Sequence, residues 1–273
     1  MSADASMTLR HATVDDYDAY ARLSHELDTD DPTPTRSQFV ERLCSRTIVA
    51  VEADRVVGYA LYERMTDAGY IRNVVSDPDL RRRGIGRALM EELRAIFVAG
   101  GATRWCLNVK PDNAAAIALY EHCGMRTAYR SAALRLPREA TLASPPPSLR
   151  LSRVAPADDA LLEQQYELLP GQLASSRAKG GRELLQLVRD GETVGVAVWT
   201  PGLGAFPFRV REPALGAPFL AHLRTRATLD ALHIQVVVED DEALRAEVLG
   251  LGARVALEML HLRGPLPSAG VPG

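Results

Sequence analysis

Residues Arg81 to Leu89 read RRRGIGRAL, three adjacent arginines followed by two glycines around an isoleucine. A glycine-rich turn that opens a helix lets several backbone N–H groups converge on one point, and the helix N-terminus adds partial positive charge. A β-carbon at Gly84 or Gly86 would hold an anion away from those donors. Arg81, Arg82, Arg83 and Arg87 add charge at the rim. Donors concentrated at one spot suit a pyrophosphate better than a nucleic-acid backbone. The pattern is not a P-loop, because no lysine follows the glycines. It is not a dinucleotide-binding turn either, because Leu89 stands where the third glycine would be.

The elements around this turn must position it. The stretch GYIRNVVSDP reads as a strand ended by Pro78, and GRALMEELRAIFVAGG reads as a helix closed by glycines. Upstream, TLRHAT is a strand, DDYDAYARLSHEL a helix with Thr13 as N-cap, and SQFVERLCS a second short helix. TIVAVEA and VVGYALYERM are strands of a hairpin turning at Asp54-Arg55. Downstream, RWCLNV is a strand, NAAAIALYEHCG a helix with a glycine stop, and MRTAYRSAALRLP a strand.

The bulk numbers fit an ordinary globular protein: 273 residues, 47% hydrophobic, 25% charged. A net charge of −3 argues against a general nucleic-acid binder. Cys44, Cys106 and Cys123 have no metal-like spacing, so no metal is expected and a reducing compartment fits. The N-terminus lacks the apolar core of a signal peptide, and no apolar run approaches the roughly 20 residues of a membrane span. A soluble, cytoplasmic protein without a nucleic-acid or membrane partner is expected, as a monomer or homodimer.

With those elements in place, Arg81-Arg82-Arg83-Gly84-Ile85-Gly86 resembles the Gln/Arg-x-x-Gly-x-Gly/Ala signature of the GCN5-related N-acetyltransferases (GNAT). NVKPDNAAAIALYEHCGM is similar to that family's second cofactor segment, and VVSDPDLRRRGIG to its strand-four to helix-three passage. The resemblance spans most of residues 8–136 and is nearest to ribosomal-protein N-terminal acetyltransferases. It implies a mixed, mostly antiparallel twisted sheet flanked by helices, with acetyl-CoA as co-substrate. It further implies that the backbone of Val74, Val75 and Ser76 bonds the pantetheine arm. The backbone of Arg82, Arg83, Gly84, Ile85, Gly86 and Arg87 would hold the pyrophosphate, and Asn113 the CoA arm. Tyr120 would protonate the departing thiolate, its phenol having an ordinary pKa of about 10.

Direct transfer also needs a base for the acceptor ammonium. In the ribosomal-type relatives a strand-five glutamate lies twelve positions before the tyrosine; here that position is Asn108. Where other members open strand four with a glutamate, this chain has Tyr70. The remaining candidates are Glu63 and a water held by Asn108 or Tyr70. His122 falls on another helix face from Tyr120, and Cys106 and Cys123 read as packed thiols. Glu26, Asp28, Asp30 and Asp31 form an acidic loop that would draw in a cationic amine, peptide N-terminus or lysine as acceptor. A non-catalytic acyl-CoA-binding module is the alternative that the missing glutamate leaves open.

The rest of the chain replays the order faintly. TVGVAVWTP echoes VVGYALYER, FRVREPAL echoes NVVSDPDL, and DDEALRAEVLGLGAR echoes DNAAAIALYEHCGMR. The stretches DDALLEQQYELL and RELLQLVRD read as helices. In this copy LGAPF stands for RRRGIG, Asp241 for Asn113 and Val248 for Tyr120. A catalytic domain over 1–136, a proline-rich linker over 137–149, a degenerate copy over 150–266 and a disordered tail over 267–273 are expected. His222, His233 and His261 read as ordinary surface or core histidines.

Overall fold

The computed structural model describes residues 7–27, 32–65 and 67–267. The chain divides into two compact units, residues 1–128 with 260–273, and residues 129–259.

The first unit runs β1 (Thr8–His11), α1 (Tyr17–Ser24), α2 (Arg36–Gln38), β2 (Thr47–Glu52), β3 (Arg55–Arg64), β4 (Ala68–Ser76), α3 (Ile85–Ala99), β5 (Arg104–Val109) and α4 (Ala114–His122). The predicted second helix keeps only α2 as α-helix and continues as a π-helical turn, Phe39–Leu43. Strands β1 to β5 lie side by side in chain order, all antiparallel except β4 with β5. One sheet face packs on α3 and α4 through Ile48, Ile71, Leu89, Phe97, Trp105 and Leu107. The other packs on α1 and the π-helical turn through Tyr20, Leu23, Phe39, Tyr59 and Leu61. Helix α3 buries Ile85, Leu89, Met90, Leu93 and Phe97, a helical stripe on one face. The β2–β3 turn falls at Ala53 and Asp54, both left-handed, one residue earlier than the sequence suggests.

Next come β6 (Arg126–Pro137) and the second unit: β7 (Leu149–Arg153), α5 (Asp159–Gln165), α6 (Gln172–Ala178), β8 (Glu183–Arg189), β9 (Glu192–Thr200), β10 (Gly204–Val210), α7 (Gly216–Arg224), β11 (His233–Glu239) and α8 (Glu242–Gly250), and last β12 (Arg254–Pro265). Strand order β7-β8-β9-β10-β11 repeats that of β1 to β5, again with only the last pair parallel. The expected helix at RELLQLVRD is therefore strand β8. Its residues favour a helix, but they pair with both β7 and β9, and tertiary pairing overrides propensity.

Each unit's sixth strand comes from the other half of the sequence. Residues 131–137 of β6 pair antiparallel with β11, while residues 260–265 of β12 pair antiparallel with β5. Leu260, Leu262 and Leu266 thus join the core of the first unit, and Ala132, Leu134 and Leu136 that of the second. The division expected at 137–149 is displaced: the units part inside β6 and β12. The proline-rich segment belongs to the second unit, where the Arg138 N–H donates to Leu232 O at 3.0 Å and Arg224 donates to Ala140 O at 2.7 Å. A repeat explains the exchange, because the two sixth strands carry the same apolar alternation and each fits the other's place.

Candidate active site

The site begins where β4 leaves β5. The two are paired only from Ala68↔Arg104 to Ile71↔Leu107. A bulge opposite Leu61 and Tyr62 follows directly, after which Val74, Val75 and Ser76 pair with β3 alone. Alternate backbone groups of that stretch have no strand beside them. The strand ends on Asp77, 1% exposed, whose N–H donates to Val57 O at 2.8 Å. Its carboxylate accepts from Arg55 at 2.6 Å, Arg22 at 2.9 Å and the Asp79 N–H at 3.2 Å. Burial alone would raise this carboxyl, but those bonds and charges outweigh it and hold it below the ordinary range. The sequence alone does not single out Asp77, because its cations come from residues 22 and 55.

Beyond a short turn, Arg82 (φ +64°) and Gly84 (φ +85°) are both left-handed and lead into α3. The Ala88 N–H makes the first helical bond, to Gly84 O at 3.0 Å, leaving Ile85, Gly86 and Arg87 N–H without helical carbonyls. A Cβ on Gly84 would meet nothing within 4 Å, so the space beside this cradle is open. At Gly86 it would lie 3.0 Å from Leu119 Cδ2, so α4 closes one side. The nest of amides at a helix start suits a phosphate oxygen. The arginines act differently from expectation: Arg81 is bound to Glu26 at 2.7 Å, Arg83 to Glu52 at 2.7 Å, and Arg87 to Glu91 at 2.8 Å. The backbone forms the cradle, and three of the four rim side chains are paired within the chain.

Asn113 caps α4, its Oδ1 accepting from the Ala116 N–H at 3.1 Å. Tyr120 lies on α4 with 7% exposure, packed in the α3/α4 core, and its hydroxyl has no hydrogen-bond partner among the described residues. Burial, with a smaller contribution from Cys123, pushes its phenol up to about 12, so it stays protonated across the physiological range. The thiols of Cys106 and Cys123 are likewise pushed up by burial, which keeps them protonated and weakly nucleophilic.

The opposite sheet face at the fork carries Glu63, Tyr70, Cys106 and Asn108, alternating with the buried residues of β3 to β5. Asn108 Nδ2 donates to the Tyr70 hydroxyl at 3.2 Å, bridging β5 to β4. Glu63 Oε1 accepts from Arg72 at 2.9 Å and from Arg46 at 3.2 Å. The structure adds a residue that the sequence gives no reason to place here: His261 on β12 sits directly opposite Asn108. No local signal announces it, because β12 reaches β5 only through the strand exchange. Of the acidic loop, Glu26 pairs with Arg81, while Asp28, Asp30 and Asp31 lie outside the described residues.

The second unit keeps the frame without the cradle. Helix α7 starts from Leu215 in right-handed conformation, and Pro218 removes an amide from its first turn. A Cβ at Gly216 would lie 2.7 Å from Leu244 Cδ1, so side chains fill the space beside that helix start. Asp241 caps α8 as Asn113 caps α4, and fully buried Val248 occupies the place of Tyr120. No helix among the described residues is long and apolar enough to cross a membrane. No group of three or more His, Cys, Asp or Glu that could hold a metal occurs among them either.

The fork between β4 and β5 thus opens beside the left-handed start of α3. Residues 10–125 match the profile of the acetyltransferase (GNAT) family. It is similar to the [Ribosomal protein bS18]-alanine N-acetyltransferases of Salmonella typhimurium (40% identity over 75 residues, 28% of this chain, 51% of that protein) and Escherichia coli K12 (41% over 75 residues, 27% and 50%). The chain spans about half the length of these relatives. Over nearly its whole length it shares the fold of a GCN5-related N-acetyltransferase from Sphaerobacter thermophilus (TM-score 0.64, 18% identity, 97% of each chain). The same holds for a tandem GNAT protein from the clavulanic acid biosynthesis pathway (TM-score 0.58, 17% identity, 96% of this chain and 99% of that one). The chain is thus a tandem GNAT fold.

Proposed function

We propose that the chain transfers the acetyl group of acetyl-CoA to an amine, and that the first unit alone performs the reaction. The observation that carries this reading is the fork after Ile71 and Leu107, opening beside the free amides of Ile85 to Arg87. Those amides, with the turn from Arg82 to Gly84, hold the pyrophosphate. The free backbone edge of Val74 to Ser76 bonds the pantetheine arm as an added strand would, and directs the thioester into the fork. Asn113, whose Oδ1 serves the helix cap, keeps its amide N–H₂ for the CoA arm. Tyr120 brings a protonated hydroxyl from the α4 side, and donates to the sulfur as the C–S bond breaks.

The similarity to ribosomal-protein alanine acetyltransferases supports a peptide or protein α-amine as acceptor, with lysine and small cationic amines as the other candidates. Glu63, the sequence candidate for the base, is committed to two guanidinium groups, which suits it to anchoring the strand ends rather than to accepting a proton. The second unit acts as a degenerate, non-binding copy. Thiol release from acetyl-CoA, followed across peptides with free N-termini, lysine peptides and polyamines, tests the reading. Wild type releases thiol with at least one class, and Tyr120→Phe lowers kcat about 100-fold while acetyl-CoA affinity stays within a few-fold. Binding without turnover for any amine would replace this reading by that of an acyl-CoA-binding module.

A further inference from the structure

Strand β12 belongs by sequence to the second copy, yet it completes the first unit's sheet, and it brings one ionisable ring to the face of the fork. His261 is the Cα partner of Asn108 in antiparallel register, which places their β-carbons about 4.5–5.5 Å apart on one face. That face is the polar one. Leu260 and Leu262 on either side of His261 are buried in the α3/α4 core, as are Leu107 and Val109 beside Asn108. Asn108 in turn holds the Tyr70 hydroxyl across the mouth of the fork. Tyr70, Asn108 and His261 therefore form a row from β4 to β12, beginning where the two strands separate.

We infer that His261, delivered to the first unit by the exchanged strand β12, is the general base that deprotonates the acceptor amine. This rests on the acetyltransferase reading above and supplies the group that reading lacks. Within the first unit, the groups on this face include Tyr70 and Arg72 from β4, Arg104, Cys106 and Asn108 from β5, Arg263 from β12, and Glu63 with its partner Arg46 further along. Burial raises the Tyr70 hydroxyl and the Cys106 thiol, so both hold their protons. Glu63 is bound by two arginines, Asn108 has no basic lone pair, and the arginines are cations. A neutral imidazole carries a basic ring nitrogen and is the one group of this set whose chemistry is to take a proton. The step balances within the chain. The acceptor R–NH₃⁺ gives one proton to the imidazole, and the freed lone pair forms the C–N bond. The C–S bond breaks, the thiolate takes the Tyr120 proton, and the imidazolium and phenolate re-equilibrate through solvent. The second copy, which has no cradle of its own, thereby contributes to the reaction through the strand that equips the first unit's site.

The test measures kcat, the pH dependence of kcat/KM and acetyl-CoA binding for wild type, His261→Gln, and His261→Gln combined with Asn108→Glu. Wild type loses kcat/KM on the acid side of its pH profile as the imidazole is protonated. His261→Gln binds acetyl-CoA normally, loses about 100-fold in kcat and no longer shows that acid limb. The added carboxylate across the strand pair restores at least ten-fold, with the limb moved toward the carboxylate range. His261→Gln with kcat within two-fold of wild type overturns the assignment, and so does a reduced kcat that keeps the acid limb. Absence of thiol release by wild type with every amine overturns the acetyltransferase reading itself, and the assignment with it.

Discussion

At the scale of single residues, the site combines groups held by local structure with groups that only long-range pairing assembles. Gly84, Gly86, Asn113 and Tyr120 are legible in the sequence because turn, cap and helix face are encoded within a few positions of one another. Asp77 and His261 are not, because the cations around Asp77 lie 22 and 55 residues away along the chain, and the partner of His261 is Asn108. Asp77 ties the end of β4 to the turn that becomes the cradle, and its charge carries a pH signature. A carboxyl held below its unfolded value, about 3.9, contributes stability that is complete above that value and disappears as pH falls through the folded one. Asp77→Asn therefore lowers the melting temperature at pH 7 and flattens the loss of stability between about pH 5 and 2, both measurable by thermal melts across pH. A variant whose acid profile parallels wild type would show that the ion-pair cluster does not set it.

At the scale of elements, most strands and helices follow from their patterns, and the exceptions have physical causes. β8 carries leucine, glutamate and arginine, residues with good helix propensity, and becomes a strand because it lies between β7 and β9. β12 is the element with the largest consequence. Leu262 is fully buried in the first unit's core beside Trp105, and Gly264 passes so close that a Cβ there would lie 2.8 Å from Trp105 Nε1. Leu262→Ala removes a buried side chain and leaves a cavity, costing about 2–5 kcal/mol. That loss falls on the first unit although the mutation lies near the C-terminus. The chain has two tryptophans, and Trp105 belongs to the first unit and Trp199 to the second. In a Trp199→Phe background, the Trp105 fluorescence transition in urea therefore moves to lower denaturant with Leu262→Ala. An unshifted transition would mean that β12 does not hold the first unit together.

At the scale of the whole molecule, the duplication is readable from echoes such as VVGYALYER and TVGVAVWTP, but the exchange of final strands is not. Two sixth strands with the same alternation satisfy either sheet, so nothing in the residues of one strand says which sheet it completes. The two frames differ at one helix start. The first unit has the fork, the left-handed turn and the open amides, while the second has the same frame with a filled helix start. On the proposed reading one copy, and only one, binds acetyl-CoA through backbone amides. Calorimetric titration of acetyl-CoA into the full chain tests it most directly. The expected result is one molecule bound per chain, and no binding by Gly86→Leu, whose side chain would intrude where Leu119 already approaches to 3.0 Å. Two molecules per chain, none, or one that persists in the Gly86→Leu variant would contradict it.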